Sequence, residues 1–260
     1  MKLLAFETAT EACSVALWVD GDVRERFEVA PRRHAELALP WAEQLLAEAG
    51  VAKSQLDAVA VGRGPGAFTG VRLAVAMAQG IALALDQPVI AVSTLRVLAA
   101  QARGEKGEKG SESLSKPAFS EAAVSGWESD SDPFSPSRIL AAIDARMGEV
   151  YAGAFARRGD DIAALTPETV SAADAVVLPV AVGGWRGVGT GFAASEGLLA
   201  RHLQSQLRHV DDTALPHAAD LARLAVAAYA RGEGLAPERV EPAYLRNQVA
   251  LTLAEQQARR

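Results

Sequence analysis

The chain has 260 residues, half of them apolar, a length that allows one large domain or two small ones with a substantial core. Its net charge of −6 argues against a protein that grips nucleic acid unaided, because phosphate neutralisation needs a basic surface. A single cysteine, Cys13, leaves no disulfide framework, and an acid at Glu7 after four apolar residues predicts no signal peptide; with no run read as a membrane span, the expectation is a cytoplasmic protein without membrane contact.

In chain order the first third reads as strand, strand, strand, helix, strand, helix, strand. Residues 3–6, 13–19 and 23–29 are short apolar or alternating runs separated by turn chemistry at 8–11 and at Asp20-Gly21-Asp22, which predicts an antiparallel meander. Residues 34–49 form a helix with an apolar stripe at Leu37, Trp41, Leu45 and Ala49, closed by Gly50. Pro40 either kinks this helix or marks its true first turn. An apolar run at 57–61 follows, then Gly62-Arg63-Gly64-Pro65-Gly66-Ala67-Phe68-Thr69-Gly70, then a small-residue helix over 70–85. A strand at 88–92 leads into a helix opening at Ser93 or Thr94.

The glycine-rich loop offers bare backbone N–H groups at a helix start, a ready anion site. It is not a Walker A loop, since Val71 follows Gly70, and no glycine trio in it keeps the dinucleotide spacing. A tight turn that packs a helix closely on its strand explains the same glycines.

Residues 103–137 are rich in Gly, Ser, Glu, Asp and Pro, a composition that predicts a disordered insertion between lobes. Beyond it the opening pattern returns. An apolar run over 138–143 closes on Asp144, a turn occupies 145–148 and a strand follows at 149–155, as 3–6 closes on Glu7 before 13–19. Internal duplication is the economical reading. The expected organisation is a first lobe over 1–102, a smaller second lobe over 138–216, a helix over 217–232 packing back on the first lobe, and a tail over 233–260.

Two hairpin-led halves around a glycine loop resemble the superfamily of actin, heat-shock ATPases and sugar kinases, an α/β fold of two actin-like (ribonuclease-H-like) lobes. Within it the chain resembles the bacterial TsaB family, also called YeaZ. The matching residues are Phe6-Glu7-Thr8-Ala9-Thr10-Glu11-Ala12-Cys13-Ser14-Val15-Ala16-Leu17-Trp18, Arg32-Arg33-His34 with Glu36 and Leu39-Pro40, and the loop from Gly62 to Arg72. They continue in Ala141-Ala142-Ile143-Asp144-Ala145-Arg146-Met147-Gly148-Glu149-Val150-Tyr151 and Tyr244-Leu245-Arg246-Asn247.

The resemblance implies a role in forming threonylcarbamoyladenosine at position 37 of tRNAs that read codons beginning with A. In that pathway TsaB is a scaffold without catalysis of its own, paired with the catalytic paralogue TsaD and acted on by the ATPase TsaE. It implies no cofactor on this chain, with ATP and a metal ion on the partner subunits, a homodimer when the chain is alone, and tRNA met only through the complex. The metal-binding histidine pair of TsaD falls on Thr94 and Leu98 here, and the four histidines (His34, His202, His209, His217) contain no i, i+4 pair, so no metal site is expected and a metallopeptidase reading gains no support.

The superfamily's nucleotide site leaves remnants at Glu7, Thr8, Thr10, Gly64, Gly66 and Asp144. Glu7 is one methylene longer than the aspartate usual there, the turn 8–11 lacks glycine and carries Glu11, and Asp144 is followed by Ala145-Arg146. Glu7 and Asp144 either face each other across a cleft and hold magnesium, or serve as caps and turn formers. An active ATPase or kinase of the superfamily is the rival reading, and it needs that site intact. The resemblance puts a partner interface on the two helices, at Trp41 and on the line Gly70, Ala74, Ala78 and Ala82, with Ala76, Gly80 and Ala84 beside it; small residues let a second helix approach closely, and close packing against the chain's own sheet accounts for one such face.

Overall fold

The computed structural model describes residues 1–102, 137–179 and 184–246. The insertion expected over 103–137 lies outside the described residues except for Ser137, which opens a strand, and so do Asn247 and the rest of the tail to Arg260.

The first lobe is built from β1 (Lys2–Glu7), β2 (Ala12–Val19), β3 (Asp22–Val29), α1 (His34–Ala49), β4 (Ala58–Gly62), α2 (Phe68–Leu85), β5 (Val89–Val92) and α3 (Thr94–Ala99). Its sheet runs β3-β2-β1-β4-β5, antiparallel through the first three strands and parallel from β1 onward. The second lobe contains β6 (Ser137–Arg146), β7 (Glu149–Arg158), β8 (Asp161–Ala164), β9 (Thr169–Ala172), β10 (Trp185–Val188), α4 (Ala194–His202) and β11 (Leu207–Asp211). Its sheet runs β8-β7-β6-β10-β11 with the same senses, and β9 also pairs with β7. The two lobes therefore repeat one topology, which places Glu7 and Asp144 at equivalent strand ends.

Period-two alternation explains why β1 is apolar along its length. Leu3 and Ala5 face one core, with α3 and α5 (Ala218–Ala230), while Leu4 and Phe6 face another, with α1 and α2. Helix α5 lies across β1 and β2, and the core it shares continues into Ile139, Ala141, Ile143 and Val188 of the second lobe. Trp185, Phe192 and Leu199 anchor a third core on the far face of the second sheet.

Three expectations change here. First, α1 begins at His34, so Pro40 sits inside the helix and not in its first turn, and the buried face is Ala38, Ala42, Leu45 and Leu46, with Leu37 and Trp41 half-buried at its edge. Second, α2 is long and apolar enough by length and composition to cross a membrane, contrary to the reading that no run qualifies; one face of it is core of the first lobe. Third, the line Gly70, Ala74, Ala78 and Ala82 is fully buried against the chain's own sheet and is not a free surface. The small side chains serve internal packing: a Cβ on Gly70 would stand 2.0 Å from the Thr8 carbonyl oxygen, and Thr8 Oγ1 donates to the Gly70 carbonyl at 2.7 Å. The exposed line of α2 is its neighbour, Ala76, Gly80 and Ala84 with Leu83.

Candidate functional site

The two strand ends meet the glycine loop at an interlobe cleft of about 820 Å³. Of the nucleotide-site residues expected from sequence, Thr10, Gly66 and Asp144 line it, whereas Glu7, Thr8 and Gly64 do not.

Glu7 points into the protein and is 1% exposed. Its Oε1 accepts the Ala9 N–H at 2.9 Å and its Oε2 accepts the Thr94 hydroxyl at 3.1 Å. Burial pushes its pKa up to about 7, against the pull of these bonds. Thr94 is the pivot of the arrangement: its Oγ1 also accepts the Gly64 N–H at 3.2 Å, and its own N–H donates to the Gly64 carbonyl at 2.9 Å. Leu98, the other position matching the metal pair of the paralogue, is buried against Gly189 of the second lobe, where a Cβ would stand 2.4 Å from Leu98 Cδ2.

The glycine loop is spent largely on close packing. A Cβ on Gly62 would lie 1.9 Å from Glu7 Oε2, one on Gly66 2.3 Å from the Ala9 carbonyl oxygen, and Gly70 meets Thr8 as described. Glycines four residues apart thus seat the turn that follows β1. The amides of Arg63, Gly64 and Ala67 are bonded to Val92, Thr94 and Ala9, so these three N–H groups of the anion cradle read from sequence are already used by the protein itself.

Asp144 does line the cleft, but its carboxylate organises the β6–β7 turn, accepting the Arg146 N–H at 2.8 Å and pairing with the Arg146 guanidinium at 3.0 Å. Glu7 and Asp144 therefore do not face one open space; each accepts the backbone N–H two residues further on, at the turn that follows it. Among the described residues no group of three or more His, Cys, Asp or Glu side chains is placed to hold a metal ion.

The C-terminal segment straps the cleft, a feature that only the family motif hinted at. Ala243 N–H donates to the Arg63 carbonyl at 2.8 Å, and Arg72 Nε donates to Tyr244 OH at 2.6 Å, both on the first lobe. Arg246 then reaches the second lobe, bonding the Ala145 carbonyl at 3.1 Å and the Glu149 carboxylate. His34, a motif residue given no role from sequence, lies within 3.0 and 3.2 Å of the Thr10 and Ala12 carbonyls through Nε2; with two acceptors opposite, that nitrogen carries the proton. The same hairpin is tied to α5 by Ser14, Glu25 and His217, which sequence reasoning missed because the three lie far apart in the chain. Ser14 Oγ donates to Glu25 at 2.7 Å, His217 Nδ1 lies 2.9 Å from Glu25, and the Ala218 N–H donates to Ser14 Oγ at 2.8 Å.

Comparison with known proteins fits this geometry. A family model described as tRNA N6-adenosine threonylcarbamoyltransferase, TsaD, matches residues 28–126. The tRNA threonylcarbamoyladenosine biosynthesis protein TsaB of Escherichia coli K12 is 38% identical over 96% of both chains, and that of Haemophilus influenzae is 34% identical over 96% of this chain and 95% of its own. Among solved structures, YeaZ from Pseudomonas aeruginosa is 40% identical with a TM-score of 0.75, covering 94% of this chain and 99% of that one. A second solved chain, described as similar to peptidase YeaZ from the same organism, is 42% identical with a TM-score of 0.77 over the same shares.

Proposed function

The chain belongs to the TsaB family, and on that premise we propose that it is a non-catalytic scaffold subunit in the formation of N6-threonylcarbamoyladenosine at position 37 of tRNAs reading ANN codons. It pairs with a TsaD-like catalytic subunit, a TsaE-like ATPase acts on the pair, and in isolation it forms a homodimer. ATP and the metal ion reside on the partner subunits, and the complex is cytoplasmic. The absence of catalysis in this chain is supported by Thr94 and Leu98 at the positions of the paralogue's metal pair, and by Glu7 being enclosed beneath the glycine loop.

The observation that carries the scaffold reading is the second face of α2. From Leu73 to Leu85 the helix has no charged residue and one polar side chain, Gln79. One face fills the core, yet Ala76, Gly80, Leu83 and Ala84 remain exposed on the other, Leu83 at 70%. A Cβ on Gly80 would meet nothing within 4 Å. Half-buried Trp41 and Leu37 of α1 pack at the edge of the same core. An apolar strip floored by small side chains suits close packing of a partner helix. This moves the interface expected on Gly70, Ala74, Ala78 and Ala82 to the adjacent line of the same helix.

Gly80→Arg tests the reading. It should keep the fold, abolish capture of the TsaD-like subunit and fail to restore modified adenosine in a strain depleted of this protein, as measured by mass spectrometry of tRNA. A folded Gly80→Arg chain that still captures its partner, or ATP hydrolysis by the isolated wild-type chain at about 1 per second or faster, would overturn it.

A further inference from the structure

The mouth of the interlobe cleft gathers rings and cations that the scaffold role does not use. Phe68 opens α2 and is 55% exposed, and Tyr244 of the strap is 51% exposed. Their ring centroids lie 6.1 Å apart with the planes tilted by 38°. The Arg72 guanidinium sits 3.7 Å from the Phe68 centroid and 5.4 Å from that of Tyr244, so the two rings and the cation form one continuous platform. Arg32 lines the same cleft, exposed, and makes no hydrogen bond or ion pair with any described residue.

Charge in the cleft runs against that of the chain. Four arginines line it (Arg32, Arg72, Arg146 and Arg246) against the acids Glu11 and Asp144, in a protein of net charge −6. Asp144 holds Arg146, and Glu149 just beyond holds Arg246, which leaves Arg32 and Arg72 as the lining arginines without a carboxylate partner among the described residues. Glu11, the remaining carboxylate of the lining, has no cationic partner among the described residues and limits how much negative charge the cleft admits.

We propose that this mouth is a direct contact site for single-stranded RNA, with Phe68 and Tyr244 as stacking faces for bases and Arg32 and Arg72 meeting the flanking phosphates. The proposal rests on the reading of the chain as a tRNA-modification subunit and extends it, since it has this chain touch the RNA itself. Exposed aromatic rings beside arginines are the recurring chemistry of single-strand recognition, because every base has a face to stack and arginine offers both a charge and a plane. Two cations make the site too weak to hold RNA alone against a net-acidic chain, so it acts as an accessory contact within the assembled complex.

The test uses the complex of this chain with its TsaD-like subunit and a fluorescently labelled single-stranded RNA of about ten nucleotides. Polarisation is read over a salt series for the wild type, Phe68→Ala and Arg32→Gln. Both side chains are exposed, so melting temperature and partner capture should be unchanged. Phe68→Ala should weaken binding about tenfold, the loss of one stacked base. Arg32→Gln should weaken it and reduce the slope of log affinity against log salt by about 0.7, the loss of one phosphate contact on a single strand. Affinity within twofold of wild type for both variants, with partner capture intact, would overturn this site while leaving the scaffold reading in place. AMP binding to the wild-type complex as tightly as the RNA, and lost with the same variants, would also overturn it by assigning the mouth to a free nucleotide. Partner capture retained by Gly80→Arg, with RNA binding weakened by Phe68→Ala, would overturn the scaffold reading and leave this site standing.

Discussion

Gly62 and Glu7 share one space: Glu7 Oε2 occupies a position 1.9 Å from where a Cβ on Gly62 would stand. The longer carboxylate and the bare backbone above it are therefore one feature, and the same oxygen, Oε2, accepts the Thr94 hydroxyl. Gly62→Ala should cost about 3 kcal/mol or more, the upper end of overpacking in a close-packed interior. Glu7→Ala empties the space, so the double variant Glu7→Ala, Gly62→Ala should be more stable than the sum of the single losses by at least about 1 kcal/mol. Chemical denaturation of the four proteins of this cycle measures the coupling; strict additivity would mean that the two residues do not compete for that volume.

The same burial makes stability depend on pH. Glu7 has its folded pKa raised from 4.5 to about 7, so the folded state holds this proton where the unfolded chain has released it. Stability from this group is full below about pH 4.5, falls as pH rises toward about 7, and then levels, a total loss on the order of 3 kcal/mol at 1.36 kcal/mol per unit. Glu7→Gln keeps an acceptor for the Ala9 N–H and removes the charge. It should be more stable than wild type at about pH 8 by about 1–3 kcal/mol, with the advantage gone at about pH 4.5. Melting temperatures of both proteins across this range check it, and a constant difference at every pH would show that Glu7 does not titrate in the fold.

How far the sequence carried depends on the distance over which each signal acts. The hairpins, the helix bounds at His34 and Gly50, and the return of the opening pattern at Asp144 were legible, because alternation and turn chemistry are local and the two sheets repeat one strand order. The family and the two-lobed fold were legible from the motifs. Which side of α2 faces the core was not. Gly70, Ala74, Ala78 and Ala82 look the same in sequence as Ala76, Gly80 and Ala84, and only the turn after β1, arriving from some sixty residues away, selects the first line for burial. The direction of Glu7 was open in the sequence for a related reason: it is set by the absence of a side chain at Gly62 and by the hydroxyl of Thr94, neither adjacent to it in the chain.

Helix α2 consequently predicts opposite outcomes for one substitution at neighbouring positions. Ala78→Arg drives a guanidinium into a fully buried site and should unfold the first lobe, at a cost of about 4 kcal/mol or more. Gly80→Arg projects the same side chain into open space and removes a helix-interior glycine, so it should leave the protein as stable or raise its stability by up to about 1 kcal/mol. Circular dichroism melts separate them. Equal destabilisation by both would show that the Ala76–Gly80 line is also internal, and the interface assignment would fall with it.

The link between the β2–β3 hairpin and α5 gives a second pH dependence, of the same sign as that of Glu7 for His217 and of the opposite sign for Glu25. The bond to Glu25 raises the pKa of His217 above its ordinary 6.5, against the effect of burial. Burial works against the Glu25 carboxylate, but bonds from His217, Ser14 and the Ala219 N–H outweigh it and hold its pKa below 4.5. For His217 the contribution is full below about pH 6.5 and is lost as pH rises through the raised folded value; for Glu25 it is full above about pH 4.5 and is lost as pH falls through the lowered one. The ion pair therefore acts fully between about pH 4.5 and 6.5. Both groups are partly exposed, so its worth is about 1 kcal/mol at most. Phe27 stacks on the His217 ring at 4.0 Å with the planes 7° apart, a contact the ring makes whether or not it carries the proton. His217→Gln should thus lose stability at every pH from the lost stack, and lose about 1 kcal/mol more at about pH 6 than at about pH 8.5. Denaturant midpoints at the two pH values measure the difference, and an equal loss at both would mean that the His217–Glu25 contact carries no charge.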